Sequence, residues 1–388
     1  MQIERLSNID EIIELQKEYY KIHGIYPLNV SNWTVSTIFK KEMEQYFEHS
    51  ASTSPIDYLY SYSIASDIKD NVMKKLGVKT SSLSKKSCIF FPNNSLSIAN
   101  ICNFLQKMNI QNVCILYPAY FSIESCLDTY KIKFIPICVA RKNHTYHIPW
   151  DEIMKFNIGA IWITSPIYST GALYTLDDIH YIETLLENDI FVISDESFCI
   201  ENHELIRYFP KYKNFISIYS PHKAICFNSY KFSAIICDDS YEDFFEQWLD
   251  VFCGNLPQTT IASIYHYLSD NYSICYTAFQ HFIKKALIDV RKILKNFPNI
   301  ETDNEIYGNL MTLYIKNLDY DISKDLDFLK SVIKNTHVAY YPGYLNGFSK
   351  NMGFCFRINL TLYSTDFLAS LQRLLLYLSK FVITHPDV

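Results

Sequence analysis

The chain has 388 residues, of which 49% are hydrophobic and 20% are charged. This is the composition of a folded globular protein, and it excludes a disordered or fibrous chain. The formal net charge is -6 and no long basic run occurs, which excludes the electrostatic pattern of a nucleic-acid binder. The length predicts one large domain and a smaller one.

Cysteine spacing and hydropathy indicate the compartment. The 11 cysteines are scattered between Cys88 and Cys355, without a Cys-x-x-Cys pair or a zinc-like His/Cys cluster, so we expect free thiols and no metal site. No apolar run is long enough to span a bilayer, and the charged, helical beginning MQIERLSNIDEIIELQKEYY differs from a signal peptide. The sequence therefore predicts a cytoplasmic protein without a membrane or nucleic-acid partner.

The beginning of the chain is predicted to form an amphipathic helix and an irregular arm. Helical spacing of apolar residues is followed by the stretch HGIYPLNVSNW at 23–33, which looks more like an arm than a core element. We expect three regions: this helix and arm at 1–50, a large α/β domain at 51–250 and a small C-terminal domain at 251–388.

Short apolar runs separated by helical segments follow. They are CIFF (88–91), NVCIL (112–116), KIKFIPICV (131–139), GAIWIT (159–164), DIFVIS (189–194), FISIY (215–219) and FSAIIC (232–237). Several are too apolar to have a solvated face, which predicts a mostly parallel seven-stranded sheet covered by helices on both sides. Later strand-like segments, TLYI (312–315) and FCFRINLTL (354–362), predict a smaller α/β domain.

Chemically informative residues come directly after three of these runs. SPIYSTG at 165–171 follows the fourth run, Asp195 follows the fifth, and Ser220-Pro-His-Lys223 follows the sixth. Because the carboxyl ends of parallel strands share one edge of a sheet, we expect an Asp, a Lys and a hydroxyl to converge on one site.

Motifs in a fixed order extend this series. They are Asn94-Ser95, Tyr117-Pro118-Ala119-Tyr120, Ser165 to Gly171, Asp195, Ser220 to Lys223 and Phe356-Arg357-Ile358. The series resembles the fold-type-I pyridoxal-phosphate enzymes, in the class I/II branch of the aspartate aminotransferase superfamily, over roughly residues 55–365. The resemblance implies pyridoxal 5'-phosphate as cofactor, an amino acid as substrate, and a homodimer with shared active sites.

The resemblance also implies a role for individual residues. Lys223 is expected to hold the cofactor as a Schiff base and then to move a proton at the substrate carbon. Asp195 is expected to keep the pyridine nitrogen protonated. Tyr120 is expected to stack on the cofactor ring, and Arg357 to bind the substrate carboxylate bidentately.

A second set of residues is expected around the phosphate. Backbone amides at a helix start favour an anion, and hydroxyl or ammonium groups add to them. The resemblance implies this role for Asn94, Ser95, Ser220, Lys231 and, from the neighbouring subunit, Tyr60.

Three positions depart from the family pattern. Tyr168 replaces an asparagine and Phe198 replaces a tyrosine, both of which normally contact the phenolic oxygen of the cofactor, and Lys231 replaces a phosphate-binding arginine. A hydroxyl from Tyr168 is expected to compensate for Phe198, whereas lysine loses the planar bidentate contact.

Several interpretations remain open from the sequence alone. Lys223 is otherwise a surface lysine, Asp195 a helix-capping or turn acid, and Arg357 one half of a structural salt bridge. The leading functional hypothesis is amino-group transfer between an amino acid and a 2-oxo acid. The alternatives are a lyase, cyclase or oxidase of a specialised biosynthetic pathway, and a catalytically silent scaffold, against which Lys223 and Asp195 argue.

Overall fold

The computed structural model describes residues 9–46, 64, 66–78 and 85–382. The helices in this part are α1 (Ile9–His23), α2 (Thr37–Glu44), α3 (Ser66–Lys75), α4 (Asn94–Lys107), α5 (Phe121–Thr129), α6 (Trp150–Ile153), α7 (Leu176–Glu187), α8 (Pro221–Ala224), α9 (Glu242–Phe252), α10 (Gln258–Leu268), α11 (Asp270–Leu294), α12 (Leu326–Thr336) and α13 (Thr365–Leu378). The strands are β1 (Leu28–Asn29), β2 (Lys86–Phe91), β3 (Asn112–Tyr117), β4 (Lys133–Cys138), β5 (Ala140–Lys142), β6 (Thr145–His147), β7 (Ala160–Thr164), β8 (Phe191–Glu196), β9 (Phe215–Tyr219), β10 (Ser233–Asp238), β11 (Ile300–Glu301), β12 (Leu310–Ile315), β13 (Val338–Ala339) and β14 (Phe354–Asn359).

The central sheet confirms the predicted fold class. Its described strands run in the order β2-β10-β9-β8-β7-β3-β4, and β10 alone among them is antiparallel to its neighbours. Every residue of β2, β7, β9 and β10 is buried, because α4 and α9 pack on the β2 side and α7 packs against β8. Each of the seven apolar runs is a strand of this sheet.

A second, antiparallel sheet lies in the C-terminal part, with the strand order β11-β12-β14. The predicted strand FCFRINLTL is shorter than expected, since β14 ends at Asn359 and a 3₁₀ turn follows at Leu360–Leu362. The side chain of Asn359 accepts a hydrogen bond from the backbone N–H of Thr361 at 3.1 Å. This bond caps the turn and ends the strand.

The N-terminal arm is attached to this C-terminal part. Strand β1 pairs in parallel with β13, and the backbone of Val30 bonds to Ala339 at 3.1 Å and to Asn359 at 2.9 Å. The arm therefore passes beside β14, the strand that carries Arg357. No helix in the described part of the chain has the length and apolar character required to cross a bilayer.

Candidate active site

The Lys223 amine lies in an apolar environment directly after β9. Ser220 precedes α8 and Pro221 occupies its first turn. Proline is tolerated there because a backbone N–H at this position would have no acceptor within the helix. The Lys223 ammonium lies 4.5 Å from the ring centroid of Phe198 and 5.1 Å from that of Tyr120. Burial lowers the pKa of Lys223 to about 8, which the charge of Asp195 opposes and that of Lys231 reinforces. The amine is thus partly neutral, and hence nucleophilic, near neutral pH.

Asp195 is the penultimate residue of the neighbouring strand, β8, and lies in register with Ile218 of β9. It is buried, and its Oδ1 accepts hydrogen bonds from the Ser197 backbone N–H at 3.1 Å and from the Ser197 hydroxyl. No described residue donates to its Oδ2. Oδ1 of Asp195 therefore stabilises the turn, which is the structural role considered from the sequence, while Oδ2 remains available to a cationic donor.

The start of α4 lies beside Asp195. The Asn93 side chain caps this helix by accepting from the Leu96 N–H at 3.1 Å. The Asn94 amide is buried and donates to the Ser197 hydroxyl, and Ser95 is exposed. Backbone N–H groups without intrahelical partners thus lie close to the Asp195 turn.

Two other residues expected at the phosphate, Ser220 and Lys231, donate hydrogen bonds to main-chain carbonyls. The Ser220 hydroxyl donates to the carbonyl of Phe232 at 2.6 Å, and the Lys231 ammonium donates to the carbonyl of Asn228. Lysine retains two further donors in that arrangement, whereas the single proton of Ser220 is used. Tyr60 lies outside the described residues.

Arg357 is a buried cation without an acid. Only 2% of it is exposed, and its Nη1 donates to the hydroxyl of Tyr168 at 3.1 Å, to Oγ of Ser169 at 3.2 Å and to Oδ1 of Asn346 at 3.0 Å. No described carboxylate lies within ion-pair distance of the guanidinium, and no described residue accepts from Nη2. The structural salt bridge considered from the sequence thus has no partner in this part of the chain.

Trp33 and Asn346 reach the site without having been predicted there. The Trp33 ring lies 4.7 Å from Cζ of Arg357 and stacks on Phe198 at 5.1 Å with an interplanar angle of 18°. Asn346 comes from the 3₁₀ turn Gly343–Asn346. The only sequence signals were the arm stretch that contains Trp33 and the Pro-Gly turn before Asn346.

The donor set fits pyridoxal phosphate. Among the described residues, an amine without an ion pair, a buried carboxylate with an unused oxygen and the N-terminal backbone N–H groups of α4 match the aldehyde, the ring nitrogen and the phosphate of that cofactor. The buried guanidinium of Arg357 matches the carboxylate of an amino acid. The ring of Tyr120 stands 6.2 Å from that of Tyr168 and at 47° to it, and its centroid lies 5.1 Å from the Lys223 amine.

Comparison with known proteins agrees with this fit at the level of the fold. No family model matches the chain, and no curated protein matches it in sequence. Among solved structures, the kynurenine aminotransferase of Pyrococcus horikoshii has a TM-score of 0.75 and 12% identity, covering 96% of this chain and 95% of that one. The methionine aminotransferase of Escherichia coli has a TM-score of 0.74 and 11% identity, covering 95% and 96%.

A lyase is similar as well. The C–S lyase of Staphylococcus hominis, whose structure contains bound pyridoxal phosphate, has a TM-score of 0.67 and 18% identity, covering 96% of this chain and 90% of that one. Aminotransferases and C–S lyases thus match over nearly the whole chain. The chain has the fold-type-I architecture of pyridoxal-phosphate enzymes.

Proposed function

We propose that this protein is a pyridoxal-phosphate-dependent aminotransferase that acts on an amino acid and a 2-oxo acid. The observation that carries the proposal is the placement of a partly neutral lysine, a buried aspartate and an acid-free buried arginine around one aromatic-lined site. When bound, the cofactor supplies an aldehyde that condenses with amines and a ring that withdraws electrons from the attached carbon.

Three side chains, those of Lys223, Asp195 and Arg357, each have a different role in the proposed reaction. Lys223 would attach the cofactor, and its released amine would take the proton from the α-carbon of the substrate and pass it to the cofactor carbon from which the amine was released. Asp195 holds the proton on the ring nitrogen through its unused oxygen. Arg357 binds the substrate carboxylate through Nη2, the nitrogen that has no described acceptor.

The remaining residues are proposed to orient the cofactor. Asn94, Ser95 and Lys231 bind its phosphate, with Tyr60 of the neighbouring subunit, and Tyr120 stacks on its ring. The Ser220 hydroxyl joins them by exchanging the Phe232 carbonyl for the phosphate. The Tyr168 hydroxyl accepts from Arg357 at 3.1 Å, so its own proton remains available to the phenolic oxygen of the cofactor.

Borohydride reduction of the purified holoenzyme, followed by peptide mapping, tests the attachment. The cofactor should be found on Lys223, and labelling of a different lysine contradicts the proposal.

Incubation with a panel of amino acids then tests the reaction class. A transaminase converts the cofactor to its amine form and releases a 2-oxo acid that retains the substrate side chain, whereas a lyase releases a side-chain fragment and returns the aldehyde form.

We also propose a cytoplasmic homodimer. The family resemblance supports it, as do exposed apolar side chains at the end of α9, where Val251 is 78% and Phe252 is 62% exposed. Light scattering should give twice the mass of the chain at the concentration used for activity, and an active monomer would contradict the shared site.

A further inference from the structure

A continuous aromatic surface connects the two groups that are proposed to hold an amino acid. The Phe198 ring lies 4.5 Å from the Lys223 ammonium, and the Trp33 ring stacks on Phe198 at 5.1 Å. The centroid of the same Trp33 ring lies 4.7 Å from Cζ of the Arg357 guanidinium. In a substrate with its amine at Lys223 and its carboxylate at Arg357, both groups are on the α-carbon, which therefore lies beside these two rings, and the side chain begins next to them.

The position of Trp33 is fixed by the backbone of the arm. The Ser31 hydroxyl donates to the Arg357 carbonyl at 2.6 Å and accepts from the Tyr341 N–H at 2.9 Å. The carbonyl of Asn32 accepts from the Asn359 amide at 2.9 Å, and the carbonyl of Trp33 accepts from the Asn228 amide at 3.4 Å. Bonds on both sides of the ring thus hold the arm against β14.

The charges along this surface are few. In the described part of the chain, the rings of Trp33 and Phe198 contact two cations, Lys223 and Arg357. The cofactor and the α-carboxylate use both of them. A second carboxylate on the substrate would be desolvated against aromatic rings without a cationic partner, which is unfavourable, whereas an aromatic or large apolar group gains contact area and ring stacking.

We propose that Trp33 and Phe198 receive the substrate side chain, so that the enzyme selects amino acids with an aromatic or large apolar side chain and discriminates against aspartate and glutamate. This inference rests on the proposed function, with Lys223 and Arg357 in the roles given above. Trp33 is the specificity-determining residue, because it lies between the two groups and comes from outside the motifs of the large domain.

Steady-state kinetics of the holoenzyme with phenylalanine, alanine and aspartate test the inference. The wild type should use phenylalanine at least about tenfold better than aspartate, in kcat/KM. Trp33→Ala should lower kcat/KM for phenylalanine by about tenfold or more and for alanine much less, mainly through KM. Trp33→Phe should restore most of the preference. Trp248→Phe is the matched control, because Trp248 stacks on Phe252 of α9 at 4.3 Å, and it should leave all three substrates unchanged.

A binding measurement separates this inference from the proposed function. Titration calorimetry of the holoenzyme with 3-phenylpropanoate and with glutarate requires no turnover. The aromatic acid should bind more tightly to the wild type, and Trp33→Ala should remove the difference. Tighter binding of glutarate, or equal losses for all ligands in Trp33→Ala, overturns the inference. A protein that shows the predicted binding but transfers no amino group from any amino acid refutes the proposed function alone.

Discussion

At the residue scale, burial and two neighbouring charges set the pKa of the Lys223 amine. Burial lowers its pKa to about 8, Asp195 raises that pKa and Lys231 lowers it. The two charges act in opposite directions because one stabilises the protonated form and the other destabilises it. The balance leaves a lysine that can act as a nucleophile without a neighbouring base.

Reductive methylation of the cofactor-free protein with formaldehyde should therefore give a pH midpoint near 8 at Lys223, measured by mass spectrometry of the modified peptide. Asp195→Asn should move this midpoint to lower pH, since it removes a stabilising negative charge. Lys231→Met should move it to higher pH, since it removes a repulsive positive charge. A midpoint near that of an ordinary lysine in all three proteins would contradict the environment described for this amine.

Arg357→Lys tests the proposed carboxylate contact. Lysine keeps the charge but lacks the planar pair of donors, so KM for amino acids should rise by about 10- to 100-fold, the worth of one or two charged hydrogen bonds. Borohydride labelling of Lys223 should persist. The matched control is Arg373→Lys, because Arg373 bonds to the carbonyl of Thr336 and to Ser370 within the α12–α13 region. Unchanged substrate affinity in Arg357→Lys would exclude the contact.

The sequence predicted some of these residues and could not predict others. Lys223 and Asp195 follow apolar runs, and position after a strand can be read from local pattern. Trp33 and Asn346 come from irregular segments that are distant along the chain, and only tertiary pairing brings them to Arg357. The free Nη2 of Arg357 also depends on which partners surround it, and this is not encoded in any local pattern.

At the element scale, the hairpin of β5 and β6 is tied to the C-terminal sheet by buried charge. Nε of Arg141 donates to Oδ1 of Asp303 at 2.8 Å, and the Tyr146 hydroxyl donates to Oδ2 at 2.6 Å. The Arg141 guanidinium lies 3.9 Å from the ring centroid of Tyr314 on β12. The side chains of Arg141 and Asp303 are 8% and 4% exposed, so neither can replace its partner with bulk water.

Removing the carboxylate of Asp303 should therefore lower the free energy of unfolding. Asp303→Ala leaves Arg141 buried without its main acceptor, and we expect the free energy of unfolding to fall by about 3 kcal/mol. Glu301→Ala is the control, because Glu301 is 21% exposed and lies 3.3 Å from Arg141, where a loss below about 1 kcal/mol is expected. Urea titrations of both variants measure this difference. Similar losses in the two variants would show that burial of the pair is not decisive.

The elements themselves were predicted unevenly from the sequence. The central strands were read correctly because they are continuous apolar runs between helical segments. The β5–β6 hairpin was missed, since each strand has three residues and neither shows a period that can be recognised. The predicted C-terminal strand was too long because apolar Leu360 and Leu362 continue its pattern, while the side chain of Asn359 ends the ladder.

At the scale of the whole molecule, an early and a late segment of the chain meet at the site. Strand β1 pairs with β13, and β14 carries Arg357 between the arm and Asn346. The order of the central strands places Asp195, on β8, beside Lys223, which follows the adjacent strand β9. Neither the strand order nor the pairing of the arm could be read from the sequence, because both depend on contacts between segments far apart along the chain.

A buried acid on β8 makes global stability depend on pH. Glu196 is fully buried, and its Oε2 accepts from the Leu205 N–H at 2.7 Å. Burial raises the pKa of Glu196 to about 8, and the charge of Glu204 adds to this effect. In the unfolded chain the same carboxyl ionises at about pH 4.3. Between these two values the folded protein binds the extra proton, so stability falls as pH rises from about 4 to about 8 and then levels off.

Glu196→Gln should remove this decline. Glutamine is neutral at every pH and its carbonyl oxygen keeps the bond to Leu205, so the variant should gain stability over the wild type by on the order of 5 kcal/mol at pH 8.5 and by about 1 kcal/mol at pH 5. Urea titrations at both pH values measure the gain, and Glu152→Gln, at an exposed position of α6, serves as the control. The gain should therefore be larger at pH 8.5 than at pH 5. Parallel stability profiles for the wild type and Glu196→Gln would show that Glu196 is ionised in the folded protein.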